Sequence, residues 1–307
     1  MGIGLCGDSN MNAESIRADD ENDHRLRHAA DAEVGLHSSR LLGMLPTLPD
    51  DLTDPEQVAL AAYAVHHIRI LLQISSLKPR EEGRVLVITG SEAESDKTSL
   101  TTVLGLSFSV CGSWTLVIDA NIVGAGLTRR FNNKSDMGLL DAYDGADISG
   151  CVSPTETRNL GLLSVGTAQP HDANTLSPHQ LQRVIMDAAR SYDRVLSDTG
   201  PVSGSLEASI AASLAEETVM VCSRGNQKTL VRKSLDRLVL IGIRIAEIIF
   251  NRALDEDMVC SLYAIMSLAQ SWRSGSRPAC LRMLIANGPA VLASWRRQSC
   301  LMVSQWT

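Results

Sequence analysis

The sequence is short of aromatic residues, paired cysteines, positive charge and long apolar runs, and each shortage removes a class of protein. Aromatic side chains make up 4% of the 307 residues while 44% are hydrophobic, so a core must be built from Leu, Val, Ile and Ala. A net charge of -7 gives no electrostatic reason to expect nucleic-acid binding, which depends on neutralising phosphates. The seven cysteines (Cys6, Cys111, Cys151, Cys222, Cys260, Cys280, Cys300) are odd in number and contain no C-x-x-C pair. Together with the lack of a secretion signal they point to reduced cytoplasmic thiols, not to a disulfide frame or a zinc site. No uninterrupted apolar run reaches the ~18 residues of a spanning helix; the most apolar stretch, Leu238 to Phe250, is broken by Arg244 and Glu247. The N-terminus MGIGLCGDSN has no basic n-region and no adequate apolar h-region, and Cys6 follows Leu5, not the small residue that lipid attachment needs. The expectation is a soluble chain that reaches a membrane only through a partner.

What is present divides into three parts. Residues 1–40 are polar and charged, with the run Asp19-Asp20-Glu21-Asn22-Asp23, and read as a disordered segment. Residues 41–257 carry regular patterning. Arg40 to Pro46 is a short apolar element stopped by proline. Asp54-Pro55-Glu56 reads as a helix start, with proline at the first helical position, and the helix runs to about Ile74. His66 and His67 are adjacent on it, so they point about 100° apart and do not form a metal pair. Strands are expected at Val85–Ile88, Leu116–Ile118, Leu160–Val165, Tyr192–Asp198, Thr218–Cys222 and Ile243–Phe250. Helices are expected after Lys97, at Met137–Tyr143, from a capping box at Ser177 to Gln180, and over about Gln227–Leu240. Strands alternating with helices at this spacing predict an α/β fold, mainly a parallel sheet with helices on both faces. The last part, residues 258–307, has five arginines, no lysine and no acid, and reads as an atypical basic tail or short appendage.

The chemistry concentrates in Val85 to Phe131. A buried strand, a short polar loop from Thr89 to Asp96, then Lys97-Thr98-Ser99 opening a helix, and a second strand ending on Asp119 is the order of a phosphate-binding P-loop unit. Such a loop works because backbone N–H groups point at phosphate oxygens, a lysine adds charge, and a hydroxyl holds magnesium. Ser95 to Ser99 would be the cofactor-binding run, with Lys97 neutralising phosphate and Thr98 on the metal. Asp119 and Asp198 both end buried strands, the edge where open α/β sheets bind ligands, and an acid there can hold magnesium. Taken singly, each residue has a plainer reading: Lys97 as a surface lysine, each acid as a helix cap or solvated loop residue. Their convergence on one sheet edge favours the site. Glycines normally give such a loop its curvature, yet here the position before the lysine is Asp96, and Glu92 and Glu94 stand in the same loop. At short range each carboxylate opposes a polyphosphate by about 1 kcal/mol or more even when screened.

In the order and spacing of these elements, from about Leu41 to Arg252, the chain resembles the cytoplasmic domain of bacterial tyrosine autokinases of capsular and exopolysaccharide synthesis. These are P-loop relatives of the MinD/ParA ATPases. Leu42 to Pro46 resembles the family's LGxxP element, Tyr63 to Leu72 its E-x-x-R-x-x-R assembly helix, Asp119 the first acid of its second Walker box, and Asp198-Thr199 its Walker B. Gly138 to Asp141 and Asn251-Arg252 match further landmarks, the latter near the nucleotide base. The resemblance implies ATP and Mg2+ as cofactors, with Lys97, Asp119 and Asp198 in catalysis and Thr98, Asp119 and Asp198 on the metal. It implies a membrane chain-length regulator as partner, a homo-oligomer, and a place at the inner face of the plasma membrane.

The departures form a pattern. The assembly helix keeps only Arg69, with Tyr63 and His66 where the family has Glu and Arg. The second box has Asn121 and Val123 in place of its second acid and its arginine. Walker B has Ser197 and Gly200 where an apolar residue and a proline are usual, and the tail holds one tyrosine, Tyr263, in place of a tyrosine cluster. Partition ATPases of the same superfamily fit less well, because Glu92 stands where they carry a lysine. Three readings follow: an ATPase or protein-tyrosine kinase with an impaired site, a catalytically inactive scaffold docking on the membrane regulator, or a decayed product without activity.

Overall fold

The computed structural model describes residues 24–34, 40–47, 55–75, 82–93, 96–166, 177–243, 245–254 and 256–258. The 258–307 tail, with Tyr263, lies outside the described residues except for Met258, and so do Glu94 and Ser95 of the loop. The sheet has β1 (Arg40–Pro46), β2 (Arg84–Gly90), β3 (Thr115–Asp119), β4 (Ser153–Pro154), β5 (Leu160–Leu163), β6 (Arg194–Asp198), β7 (Glu217–Ser223) and β8 (Ile245–Ala253). Their order is β1-β8-β7-β2-β6-β3-β5-β4, parallel except for the β4–β5 pair. The parallel strands are short apolar runs because both sheet faces are covered. Val117, Leu162 and Leu196 pack with Ile68, Leu104 and Phe108 on one side. Leu116, Ile118, Leu163 and Val195 pack with Leu181, Val184 and Ile185 on the other.

The helices on the first side include α2 (Pro55–Ser75) and α3 (Lys97–Val110); after them come α4 (Gly126–Arg130), α5 (Leu139–Asp144) and α6 (Ile148–Cys151). The remaining long helices are α7 (Pro178–Ser191), α8 (Leu206–Leu214) and α9 (Lys228–Leu240), and a short α1 (Ala29–Val34) precedes the sheet. Gly43 on β1 lets α2 approach, since a Cβ there would lie 2.7 Å from Ile68 Cγ1. α5 starts where Asp141 Oδ2 accepts the Gly138 N–H at 2.8 Å.

Three expectations are corrected and one helix is added. Residues 24–34 fall in the segment read as disordered, yet Leu26, Ala29 and Ala32 are buried in the core, and Leu26 exchanges backbone hydrogen bonds with the turn after β7. The final strand starts later and runs further than Ile243–Phe250, because pairing with β7 continues to Ser223–Asn251 and with β1 to Pro46–Ala253. At α7, Ser177 caps no backbone N–H with its side chain; its own N–H donates to the Tyr143 hydroxyl, so Gln180 is not needed there. Helix α8 has no counterpart in the sequence reading, although Ser205 Oγ accepts the Ala208 N–H at 2.9 Å as an N-cap. Among the described residues Cys151 and Cys222 are free thiols. No described helix is long and apolar enough to cross a membrane.

Candidate phosphate and metal site

β2 sits between β6 and β7, so the loop that follows it opens at the carboxyl edge of the sheet, beside the end of β6. β3 and β6 run in register, which sets Asp119 opposite Asp198. Both carboxylates are fully buried. Thr98, in the first turn of α3, donates its hydroxyl to Asp198 Oδ2 at 2.6 Å. Thr128, on α4, gives Asp119 Oδ2 both its N–H and its hydroxyl, each at 2.7 Å. The other oxygens, Asp119 Oδ1 and Asp198 Oδ1, are buried without a hydrogen-bond partner among the described residues. Burial pushes Asp119 up to about 6 against the pull of Thr128 and the Asn121 amide. Burial, and then the neighbouring Asp119 charge, push Asp198 up to about 7. Two facing acids with open lone pairs are a pair in want of a cation or a proton.

A divalent ion fits that donor set. Magnesium takes oxygen ligands and is usually held by one or two carboxylates together with substrate phosphates. Asp119 Oδ1, Asp198 Oδ1 and the Thr98 hydroxyl offer oxygens of that kind. Among the described residues there is no cluster of three or more His, Cys, Asp or Glu that would hold a metal without substrate.

The loop half of the site is organised differently. Asp96 caps α3 in the left-handed region (φ 54, ψ 27) and makes no side-chain capping bond. Glycine is usual there because only glycine adopts that backbone freely; Asp is among the non-glycine residues that tolerate it best. The sequence alone sets the Asp96 carboxylate against a phosphate, but the structure turns it towards the end of β8. Its Oδ2 accepts from Asn251 Nδ2 and Arg252 Nε, both at 2.9 Å, and Arg252 Nη2 lies at 2.9 Å as well. Arg252 is itself at positive φ (58), so two strained residues meet in one ion pair. Glu92 also turns away, its Oε1 accepting the Gln227 N–H at 2.9 Å where α9 begins.

Lys97 is 4% exposed and bends back into its own loop, donating to the carbonyls of Glu92 at 2.7 Å and Ala93 at 3.2 Å. Burial lowers its affinity for the proton, while Asp198, Asp96 and Glu92 work to keep it charged. The strand-end residues tie the loop down from the other side: Val202 N–H reaches the Gly90 carbonyl at 3.0 Å, and Thr199 Oγ1 the Ile88 carbonyl at 3.0 Å.

Lys97, Thr98, Asp119 and Asp198 thus lie at one sheet edge, and Asp96 joins Asn251 and Arg252 at one side. Ser99, half-buried on α3, accepts a hydrogen bond at 3.0 Å from Arg130 Nη1, and Asn121 Oδ1 is taken up by the Gly124 N–H at 3.1 Å. Three contributors went unread in the sequence. Gly126 starts α4 hard against α3, where a Cβ would lie 2.7 Å from Thr98 Oγ1; Thr128 and Arg130 follow on the same short helix. Their only sequence signal is that they come soon after Asp119. Arg69, the one arginine kept from the assembly pattern, is 3% exposed. It stacks over Phe108 with its guanidinium carbon 6.0 Å from the ring centre and bonds His66 and Gln73 on its own helix. It is a core residue, not a surface contact.

No protein-family model matches the chain. Among curated proteins it is 28% identical over 195 residues to the tyrosine-protein kinase wzc of Salmonella typhimurium, covering 62% of this chain and 27% of that protein. It is 26% identical over 188 residues to the tyrosine-protein kinase CpsD of Streptococcus agalactiae, covering 60% of this chain and 80% of that one. The chain therefore matches about a quarter of the larger relatives and most of the smaller ones. The kinase domain of Escherichia coli tyrosine kinase ETK superposes with a TM-score of 0.63 at 21% identity, over 71% of this chain and 92% of that one. The BceF tyrosine kinase domain does so with a TM-score of 0.63 at 22% identity, over 74% and 98%. By sequence the chain is similar to bacterial tyrosine-protein kinases such as wzc and CpsD, and its mostly parallel sheet with flanking helices has the fold of the ETK and BceF kinase domains.

Proposed function

We propose that this chain is a P-loop ATPase-like protein of capsular or exopolysaccharide biosynthesis whose nucleotide site is retained at the sheet edge and impaired in its loop. The observation that carries the reading is the buried pair Asp119 and Asp198, with Thr98 donating to Asp198 and one unpartnered oxygen on each acid. The names of the relatives supply the reaction class, an ATP-dependent protein-tyrosine kinase or ATPase. Bound magnesium would supply the positive charge that phosphoryl transfer needs. Thr98, Asp119 and Asp198 would hold it, Lys97 would neutralise phosphate, and Ser95, Asp96 and Ser99 would lend loop and helix amides. Asn251 and Arg252 would flank the base.

The impairment lies in the loop's self-satisfaction. A phosphate arriving at α3 must draw Lys97 off two carbonyls, and a base must displace Asp96 from Arg252 and Asn251. Direct measurement of a fluorescent ATP analogue with magnesium tests this. Weak binding by the wild type, lost in Lys97→Met, supports an impaired site. Micromolar binding by the wild type contradicts impairment, and binding unchanged in Lys97→Met contradicts the site itself.

The clamp of Asp96 on Arg252 and Asn251 also favours a second reading: a catalytically inactive subunit that keeps the fold in order to dock on a membrane chain-length regulator, peripheral to the plasma membrane. Co-purification with such a regulator in a strain carrying Lys97→Met separates the two. Undiminished association supports the scaffold, and association that depends on Lys97 speaks for a working nucleotide site.

A further inference from the structure

Arg130 is a buried cation that the residues around it do not satisfy. It is 8% exposed. Nη1 has one hydrogen bond, to Ser99 Oγ at 3.0 Å; Nε has no partner among the described residues. No carboxylate lies within ion-pair distance of it among those residues. Arginine stays charged even where burial works against it, as it does here. The carboxylates that counter that effect are Asp198 and Asp96. Asp96 is already bonded to Asn251 and Arg252, and Asp198 already accepts from Thr98. A buried guanidinium with a donor left unpaired and no carboxylate beside it is costly unless something anionic completes it.

The backbone explains why it points there. Gly126 and Arg130 are four residues apart on α4 and share a face. That face lies on the first turn of α3, with Gly126 against Thr98 and Arg130 on Ser99. The first turn of α3 also presents unsatisfied N–H groups and the positive end of the helix dipole. Two independent features, a helix N-terminus and a buried guanidinium whose Nε has no partner among the described residues, thus converge beside the two acids. Val123, in the loop after β3, is 69% exposed and carries no charge.

We propose that Arg130 is the second phosphate-binding cation of this site, reaching from α4 to an oxyanion seated at the first turn of α3 beside Ser99. With Lys97 it would hold a nucleotide di- or triphosphate between two cations, from the loop side and from the α4 side. This rests on the nucleotide reading above, and the fork geometry of a guanidinium suits two oxygens of one phosphate group.

The test compares Mg-nucleotide and inorganic pyrophosphate binding for wild type, Arg130→Met and Arg130→Lys, each also in the Asp96→Gly background, with the ligand-free melting temperature recorded. The proposal expects Arg130→Met to bind both ligands about ten- to a hundredfold more weakly, Arg130→Lys to recover part of the loss, and ligand-free melting to be unchanged or higher. If Lys97→Met abolishes binding while Arg130→Met binds within about twofold of its parent, the nucleotide reading stands and Arg130 is no ligand. If Arg130→Met weakens binding only in proportion to a lowered ligand-free melting temperature, its role is structural and the proposal fails. If neither wild type nor Asp96→Gly binds nucleotide or pyrophosphate, both readings fall together.

Discussion

The two halves of the candidate site are built from the same few ångströms of sheet edge, yet one is frustrated and the other is content. At the ends of β3 and β6, two buried acids face each other with an open oxygen apiece. In the loop before α3, Lys97, Asp96 and Glu92 have all found partners within the protein. The difference follows from where each half gets its geometry. Asp119 and Asp198 are placed by strands whose neighbours are core residues, so their positions persist as long as the core does. The loop normally depends on glycine; here its side chains are taken up by other partners, Lys97 by loop carbonyls, Asp96 by the end of β8 and Glu92 by the start of α9. The strand-end acids thus keep open oxygens while the loop side chains are already engaged.

The largest effect that breaks this comparison is expected at the acids. Asp198 has a folded value of about 7, above the ordinary range of an unfolded aspartate, so between about pH 4 and 7 the folded state holds a proton that the unfolded state releases. Its contribution to stability is therefore favourable at low pH and is lost as pH rises through about 7. Asp198→Asn removes that penalty while keeping an oxygen for Thr98. The variant is expected to be more stable than wild type by on the order of 2–4 kcal/mol at about pH 8, with the gain gone near pH 4. Urea melts at the two pH values check it. No gain at the higher pH means that the acids are not frustrated.

A smaller effect is expected in the loop. Asp96→Ala keeps a left-handed residue that Ala tolerates less well and removes a partly exposed ion pair, so destabilisation by about 1–2 kcal/mol is expected. Asp96→Gly relieves the backbone but loses the same ion pair, leaving stability within about 1 kcal/mol of wild type. Thermal or urea unfolding of the two variants separates backbone strain from ion pairing. Equal stability of the two would mean that the left-handed conformation costs nothing here.

Much of this architecture is legible in the sequence, for physical reasons. Parallel strands buried on both faces are unbroken apolar runs, so Val85–Ile88 and Leu116–Ile118 announce themselves, and with them the strand ends that carry Asp119 and Asp198. Lys97-Thr98 at a helix start is local and equally plain. What escapes is non-local or cryptic. The partners of Asp96 stand 155 and 156 residues away, so its charge reads as an obstacle to phosphate when its carboxylate is in fact engaged elsewhere. Arg69 reads as an assembly residue because its spacing says nothing of Phe108 beneath it. Arg130 carries no sequence signal of its own, and its place on Ser99 follows from Gly126 pressing α4 onto α3. The α8 helix is Ala-rich with a serine cap, a pattern without strong periodicity.

The central claim is that the loop, through Asp96, is what impairs a site whose metal half is intact. Calorimetric titration of a non-hydrolysable Mg-ATP analogue into wild type and Asp96→Gly tests it most directly, at about pH 8 so that Asp198 is ionised. The account predicts binding at least about tenfold tighter in Asp96→Gly than in wild type, a difference of about 1.4 kcal/mol. Equal or weaker binding by Asp96→Gly would contradict it.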